Sequence, residues 1–471
     1  MLLRLLCFAL ALSPAYQPAL DSISADALRG DLSFLSSDVL EGRDTPSRGL
    51  EIASEFIASE FRKAGLQPGG NYGYFQAADF LVRTPTVEGF TFELSHNGRT
   101  LRLSSDEMTI QAASAVDLLR APLVRLDAEN TDKPDEWANR VVITLRARGR
   151  HQLERAAAVI LLDRRPAPNA EARPQLLDPA SPETAGPPRF IIHGPAAEKF
   201  FDSLHGAGAV ASIHLGKPRE QHVPLRNVVA ILPGSDARLK DTCVILSAHY
   251  DHLGMKPLSA TGDRIYNGAN DNGSGTVSVI EIAAALSKLK THPRRSIVFV
   301  TFFGEEEGLL GSGYYARHPV FPLANTVANL NLEQLGRTDA KDGPRVNTLS
   351  MTGEAYSDIT SFVEAAGQAT GIKVRRSGAN SEMFFSASDN YPLAKAGVPS
   401  ETLVVAFDYS DYHAVGDEWN KIDYDNMARV DRTVAAATLL LADSETTPHW
   451  SESSGAASFR KARSAQPGSR Q

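Results

Sequence analysis

Cysteine is nearly absent from this chain of 471 residues, with only Cys7 and Cys243. Two thiols cannot build a cysteine-rich metal cluster or a disulfide framework. Basic charge is also in short supply: 48 Lys and Arg stand against 56 Asp and Glu, a formal net charge of -8. No basic excess is available to neutralise a phosphate backbone, which argues against a nucleic-acid binder. Long hydrophobic runs are missing as well. The apolar run at residues 5–12 falls far short of the ~20 residues of a membrane span. It follows Arg4 and precedes Ser13-Pro14-Ala15, the pattern of a cleaved signal peptide. Residues 1–15 are therefore expected to direct export, to the periplasm or the medium, without stable membrane insertion. Cys7 would leave with them, and Cys243 alone can form no intramolecular disulfide.

What is present is ordinary globular material, 42% hydrophobic and 22% charged, in a chain too long for one core. Residues 22–111 form the N-terminal part of the main domain. They begin with two helices at 22–66, joined by the turn L-E-G-R-D-T-P, followed by short alternating strands. Residues 112–224 change character, with strand-like runs at 141–145, 158–162 and 209–213 around a Pro- and Ala-rich loop at 164–188. This is expected to be a smaller β-rich insert domain, and its A-A-A-V-I-L-L stretch at 156–162 resembles protease-associated domains. Residues 225–444 alternate strand-like runs (227–232, 243–248, 296–303, 326–332, 402–407) with helical patterns near 277–289, 355–370 and 427–441. Such alternation argues for an α/β fold, a mostly parallel sheet with helices on both faces. Residues 445–471, rich in Ser, Ala, Arg and Gln, are expected to be a disordered tail.

Each polar cluster in the α/β region follows a strand-like run. His249 follows 243–248, Glu305 and Glu306 follow 296–303, Glu333 follows 326–332, and His413 comes soon after 402–407. Asp271 lies in the Gly- and Asn-rich stretch N-G-A-N-D-N-G-S-G ahead of a helical pattern. In a parallel sheet these ends face one side, where open α/β sheets place their ligands. Two imidazoles with several carboxylates and no cysteine cluster favour zinc over calcium or magnesium. The donor set exceeds what one tetrahedral ion needs, so two ions sharing a bridging carboxylate are expected. Of the adjacent pair Glu305-Glu306, one can ligate while the other serves as base, because neighbours leaving an extended strand point oppositely.

The motifs H-Y-D-H-L-G, G-A-N-D-N-G-S-G, F-F-G-E-E-E-G-L-L-G-S, N-L-N-L-E-Q-L-G-R, S-D-N-Y-P-L-A-K-A-G-V-P and Y-H-A-V-G-D occur in this order. Together they resemble the di-zinc exopeptidase family, which includes secreted bacterial aminopeptidases, glutamate carboxypeptidases and glutaminyl cyclases. The L-E-G-R-D-T-P-S-R-G segment is similar to that family's opening element. The resemblance implies His249 and Glu333 as ligands of one zinc, Glu306 and His413 as ligands of the other, and Asp271 as the bridge. It implies Glu305 as general base and Asp251 as the carboxylate that orients His249. Tyr412 and Asp389 are candidates for contact with substrate or oxyanion, and Asp417 for bracing the final histidine loop. Glu333 stands where the family often has Asp. His252 matches no family ligand and is set aside, and Glu307 reads as a solvated helix-start charge.

The implied activity is a zinc-dependent exopeptidase acting on peptides, with an aminopeptidase first. A carboxypeptidase would use Arg375-Arg376 to hold the terminal carboxylate. Dipeptidase, glutaminyl cyclase and a binding module that has lost its metals stay open, and the oligomeric state is not fixed by the sequence.

Overall fold

The computed structural model describes residues 12–126, 137–145, 153–164, 171–180, 186–256, 262–376 and 378–466. Most of the expected signal segment therefore lies outside the described residues. None of the described helices is long and apolar enough to cross a membrane. The chain divides into two compact units, one made of residues 1–78 and 225–471, the other of residues 79–224. The boundary falls at 79 rather than at 112. The strands at Thr91–His96 and Arg99–Arg102, expected in the main domain, pair within the second unit instead.

The first unit opens with helices α1 (Ala25–Leu35) and α2 (Arg48–Lys63). Ser24 and Ser47 cap them by accepting the N–H of Ala27 and Leu50. Its sheet runs β1 (Arg219–Leu232), β2 (Cys243–His249), β3 (Ser296–Phe302), β4 (Thr326–Glu333), β5 (Thr348–Met351), β6 (Lys373–Arg375) and β7 (Ser400–Val404). In space the order is β1-β3-β2-β4-β7-β5-β6. The four central strands β3, β2, β4 and β7 are mutually parallel, while β1 and β5 join antiparallel. β2, β3, β4 and β7 are buried along their whole length, which is why they read as continuous apolar runs rather than alternating ones.

Helix α3 (Gly275–Leu286) is buried on almost every side. A Cβ at Gly275 would run into the Asn272 side chain and the Leu332 carbonyl, so the helix start can press against the end of β4 only with glycine there. Further helices include α4 (Leu310–Arg317), α5 (Ile359–Thr370), α6 (Asn390–Lys395), α7 (Tyr424–Asp443) and α8 (Ala457–Ser464).

Helix α8 corrects the expected tail. Phe459 and Trp450 are buried in one cluster with Phe385, Ala394 and Ala456, and Arg463 donates to the carbonyls of Leu323, Ala324 and Thr326. Few apolar residues suffice here because they are large, aromatic and placed together.

The second unit carries a nine-stranded sheet with a core that includes Phe92, Leu94, Ile110, Ile143, Ile160 and Phe190. Val141–Leu145, Ala158–Leu162 and Val210–Leu215 are strands of it, close to the expected runs.

Candidate metal centre

The carboxyl ends of β2, β3 and β4 converge as the parallel order requires. His249, the last residue of β2, places Nε2 3.5 Å from Asp271 Oδ1 and 3.4 Å from Glu333 Oε2. Asp271 lies in the tight loop before α3, where its peptide bond to Asn272 is cis. Its backbone N–H donates to Asp417 Oδ2 at 3.0 Å, and the N–H of Asn270 donates to the same carboxylate. Asp417 thus braces the Asp271 loop, and Tyr409 adds a hydroxyl donor to it at 3.0 Å. Glu333 ends β4, with Oε1 accepting from the Ser388 hydroxyl at 2.5 Å. A buried chain of hydrogen bonds continues from Ser388 to Asn331 and on to Ser247, tying the glutamate to the middle of the sheet.

Asp271 faces two groups at once. Oδ1 looks toward His249, while Oδ2 lies 3.0 Å from His413 Nε2. Glu306 Oε1 is 3.5 Å from the same His413 nitrogen. Among the described residues, two sets bring ligand atoms within 4.8 Å of one another: His249, Asp271 and Glu333, and His252, Asp271 and Glu306. His252, set aside on motif grounds, therefore belongs with the second set. Its position three residues after His249 was the available signal.

Glu305 joins neither set. Its Oε2 stays 4.0 Å from His249 Nε2, and its backbone N–H, like that of Glu306, donates to the Asp251 carboxylate. Asp251 holds the two consecutive glutamates in place, and His249 Nδ1 lies 3.5 Å from Asp251 Oδ1 and 3.2 Å from its carbonyl. Tyr412 is half exposed and stacks on the His413 ring, centroids 4.0 Å apart. Asp389 is fully buried, with Oδ1 accepting from Ser312 at 2.5 Å. Its carboxylate is thus engaged by α4 and has no exposed surface.

Arg43 is a further residue of the site that its spacing does not single out. Its buried guanidinium donates to the carbonyls of Tyr250, Asn267, Gly268 and Leu35, so the opening L-E-G-R segment shapes both loops that carry His249 and Asp271.

The electrostatics test whether cations fit. Burial by itself would lower His249, but the Glu333 and Glu305 charges raise it well above the ordinary histidine range. Burial would likewise lower His413, yet Asp271 and Glu306 raise it to about 10. Asp271 is driven the other way: burial pushes it up, and the His249 and His413 rings pull it below the usual carboxylate range. Burial, together with the Glu306 and Glu333 charges, pushes Glu305 well up. So many buried carboxylates favour positive charge among them. Glu306 Oε1 and both His252 nitrogens still have no hydrogen-bond partner. Oxygen and imidazole donors around a shared carboxylate fit zinc.

Known proteins resemble this chain over part or most of its length. Residues 227–438 match the model of peptidase family M28. The six motifs on which the exopeptidase resemblance rests all lie within this matched stretch. The aminopeptidase YwaD of Bacillus subtilis (strain 168) is 27% identical over 220 residues, which is 45% of this chain and 44% of that protein. A probable zinc metalloprotease of Pyrenophora teres f. teres is 36% identical over 121 residues, 26% of this chain and 25% of the relative. The chain thus spans between a quarter and half of the length of these two relatives. The likeness in fold extends beyond this M28 match. An aminopeptidase from Aneurinibacillus sp. strain AM-1 superposes with a TM-score of 0.61 at 18% identity, covering 90% of this chain and 95% of that one. BSAP, a zinc aminopeptidase from Bacillus subtilis, gives 0.54 at 20% identity, over 88% and 94%.

Proposed function

We propose that this protein is an exported, zinc-dependent aminopeptidase that holds two zinc ions and removes N-terminal residues from peptides. One observation carries the reading: Asp271 turns Oδ1 toward His249 and Oδ2 toward His413, while Glu305, 4.0 Å from His249, belongs to neither ligand set. His249, Asp271 and Glu333 would hold the first ion; Asp271, Glu306 and His413 would hold the second. Bound there, the ions would supply Lewis acidity to the scissile carbonyl and make a water easier to deprotonate.

The rest falls to side chains of the protein. Glu305 takes a proton from the attacking water and passes it to the leaving amine, so that the C–N bond breaks as the amine becomes neutral. A base whose carboxyl is pushed up by burial is suited to both transfers. Asp251 positions Glu305 through its backbone N–H, and Tyr412, beside His413, has a hydroxyl available to the developing oxyanion. Export rests on the N-terminal sequence pattern.

The relatives favour the amino end, since YwaD, BSAP and the Aneurinibacillus protein are described as aminopeptidases. The carboxypeptidase alternative loses part of its support because Arg376 pairs with Glu364 at 2.8 Å. The test offers one short peptide free, N-acetylated and C-amidated to the zinc-loaded protein and identifies products by mass spectrometry. Loss of cleavage on acetylation alone is expected. Loss on amidation alone would make the protein a carboxypeptidase.

A further inference from the structure

We infer that His252 is a direct ligand of the second cation, so that three imidazoles rather than two serve the pair of ions. The inference rests on the two-cation reading above and concerns a residue that reading leaves out. His252 is fully buried, and its Nδ1 lies 2.9 Å from Glu306 Oε1. Neither ring nitrogen has a hydrogen-bond partner of good geometry. A buried imidazole with no partner costs free energy that one hydrogen bond would recover. A cation between His252, Asp271 and Glu306, whose ligand atoms already lie within 4.8 Å of one another, would satisfy the imidazole and Glu306 Oε1 together.

The surroundings reserve this place for the ring. A Cβ on Gly268, which sits at φ +56, would run into the His252 imidazole, so the loop carrying Asp271 leaves room for it only as glycine. The backbone N–H of His252 donates to the Arg43 carbonyl at 3.1 Å, fixing where the side chain starts. His413 approaches the same two carboxylates from the open side, with its ring edge-on to His252 at 5.8 Å and its side chain 38% exposed. The second ion would then have one sealed imidazole and one accessible one.

The test replaces zinc by cobalt and compares the wild-type protein with His252→Cys. A thiolate bound to cobalt gives an intense near-ultraviolet charge-transfer band. The wild-type protein, whose described cysteine is buried in β2, should take up two cobalt ions without that band, and His252→Cys should show it. Zinc X-ray absorption on the wild-type protein provides a measurement that needs no variant, and three imidazoles shared over two zincs are expected. In His252→Ala, competition with a chelator should show the second zinc bound more than ~100-fold more weakly, beyond the 10–100-fold that loss of an outer partner costs. Two bound ions with only two imidazoles, or two bound cobalts without a thiolate band in His252→Cys, would overturn the inference and leave the two-cation reading standing. A wild-type protein that binds fewer than two ions would overturn that reading first.

Discussion

The two units are both built on large sheets, yet they use their interiors differently. In the second unit the core is a continuous apolar cluster from Phe92 to Leu215. In the first, the carboxyl ends of the central strands bury His249, Asp251, His252, Asp271, Glu333, Asp389 and Asp417. Both sets with metal-ligand spacing among the described residues lie there. An apolar sheet is stable from its packing alone. A sheet whose end gathers several buried carboxylates gives up stability at that end and gains a place where a cation binds strongly. The contrast separates a scaffold from a site by what each interior leaves unsatisfied.

The sharpest way to break the comparison is at Glu305. Glu305→Gln removes the proton acceptor and touches neither ligand set, so turnover should fall about 10³-fold with zinc content unchanged by elemental analysis. A near-normal rate would remove Glu305 from the chemistry. On the other side, Phe190→Ala leaves a cavity in the second unit's core, where Phe190 is fully buried. It should cost about 3–5 kcal/mol in denaturant unfolding while zinc content under native conditions stays at the wild-type level. Loss of zinc from that variant would mean the two interiors are not separable in the way described.

A smaller effect is expected at Glu401 in β7, a buried carboxyl away from the ligand sets. Burial pushes it up to about 8, against a partial offset from the Ser357 and Thr360 hydroxyls. Between its ordinary value and about pH 8, the unfolded chain has released this proton and the folded chain keeps it. Stability therefore falls as pH rises, by up to ~1.4 kcal/mol per pH unit. Glu401→Gln should remove that slope, so its melting temperature should gain on the wild-type value between pH 5 and pH 8. A constant difference across that range would show that Glu401 is ionised in the fold.

Much of the centre was legible because it follows from strand order. Apolar runs ending in His249 and Glu333, or just ahead of Glu305, locate the strand ends, and a parallel sheet brings such ends together. What stayed hidden depended on direction rather than order. Asp389 stands in a polar motif, and only the packing of α4 and α6 shows that it turns inward to Ser312. His252 lies in a loop without periodicity, where spacing does not say which way a ring points. The docked helix α8 was missed because composition averages out two well-placed aromatics, Trp450 and Phe459. The boundary at 79 was missed because strands that belong to different units look alike in sequence.

Arg43 has a consequence for how the protein reaches this state. Its partners Tyr250, Asn267 and Gly268 lie 207 to 225 residues further along the chain, so the loops around the site take their shape only when the two ends of a very long stretch of polypeptide meet. Contacts of such sequence separation form late and slowly. During synthesis the N-terminal helices emerge well before the segment they organise, and the metal-binding end of the sheet should be among the last parts of the first unit to become ordered.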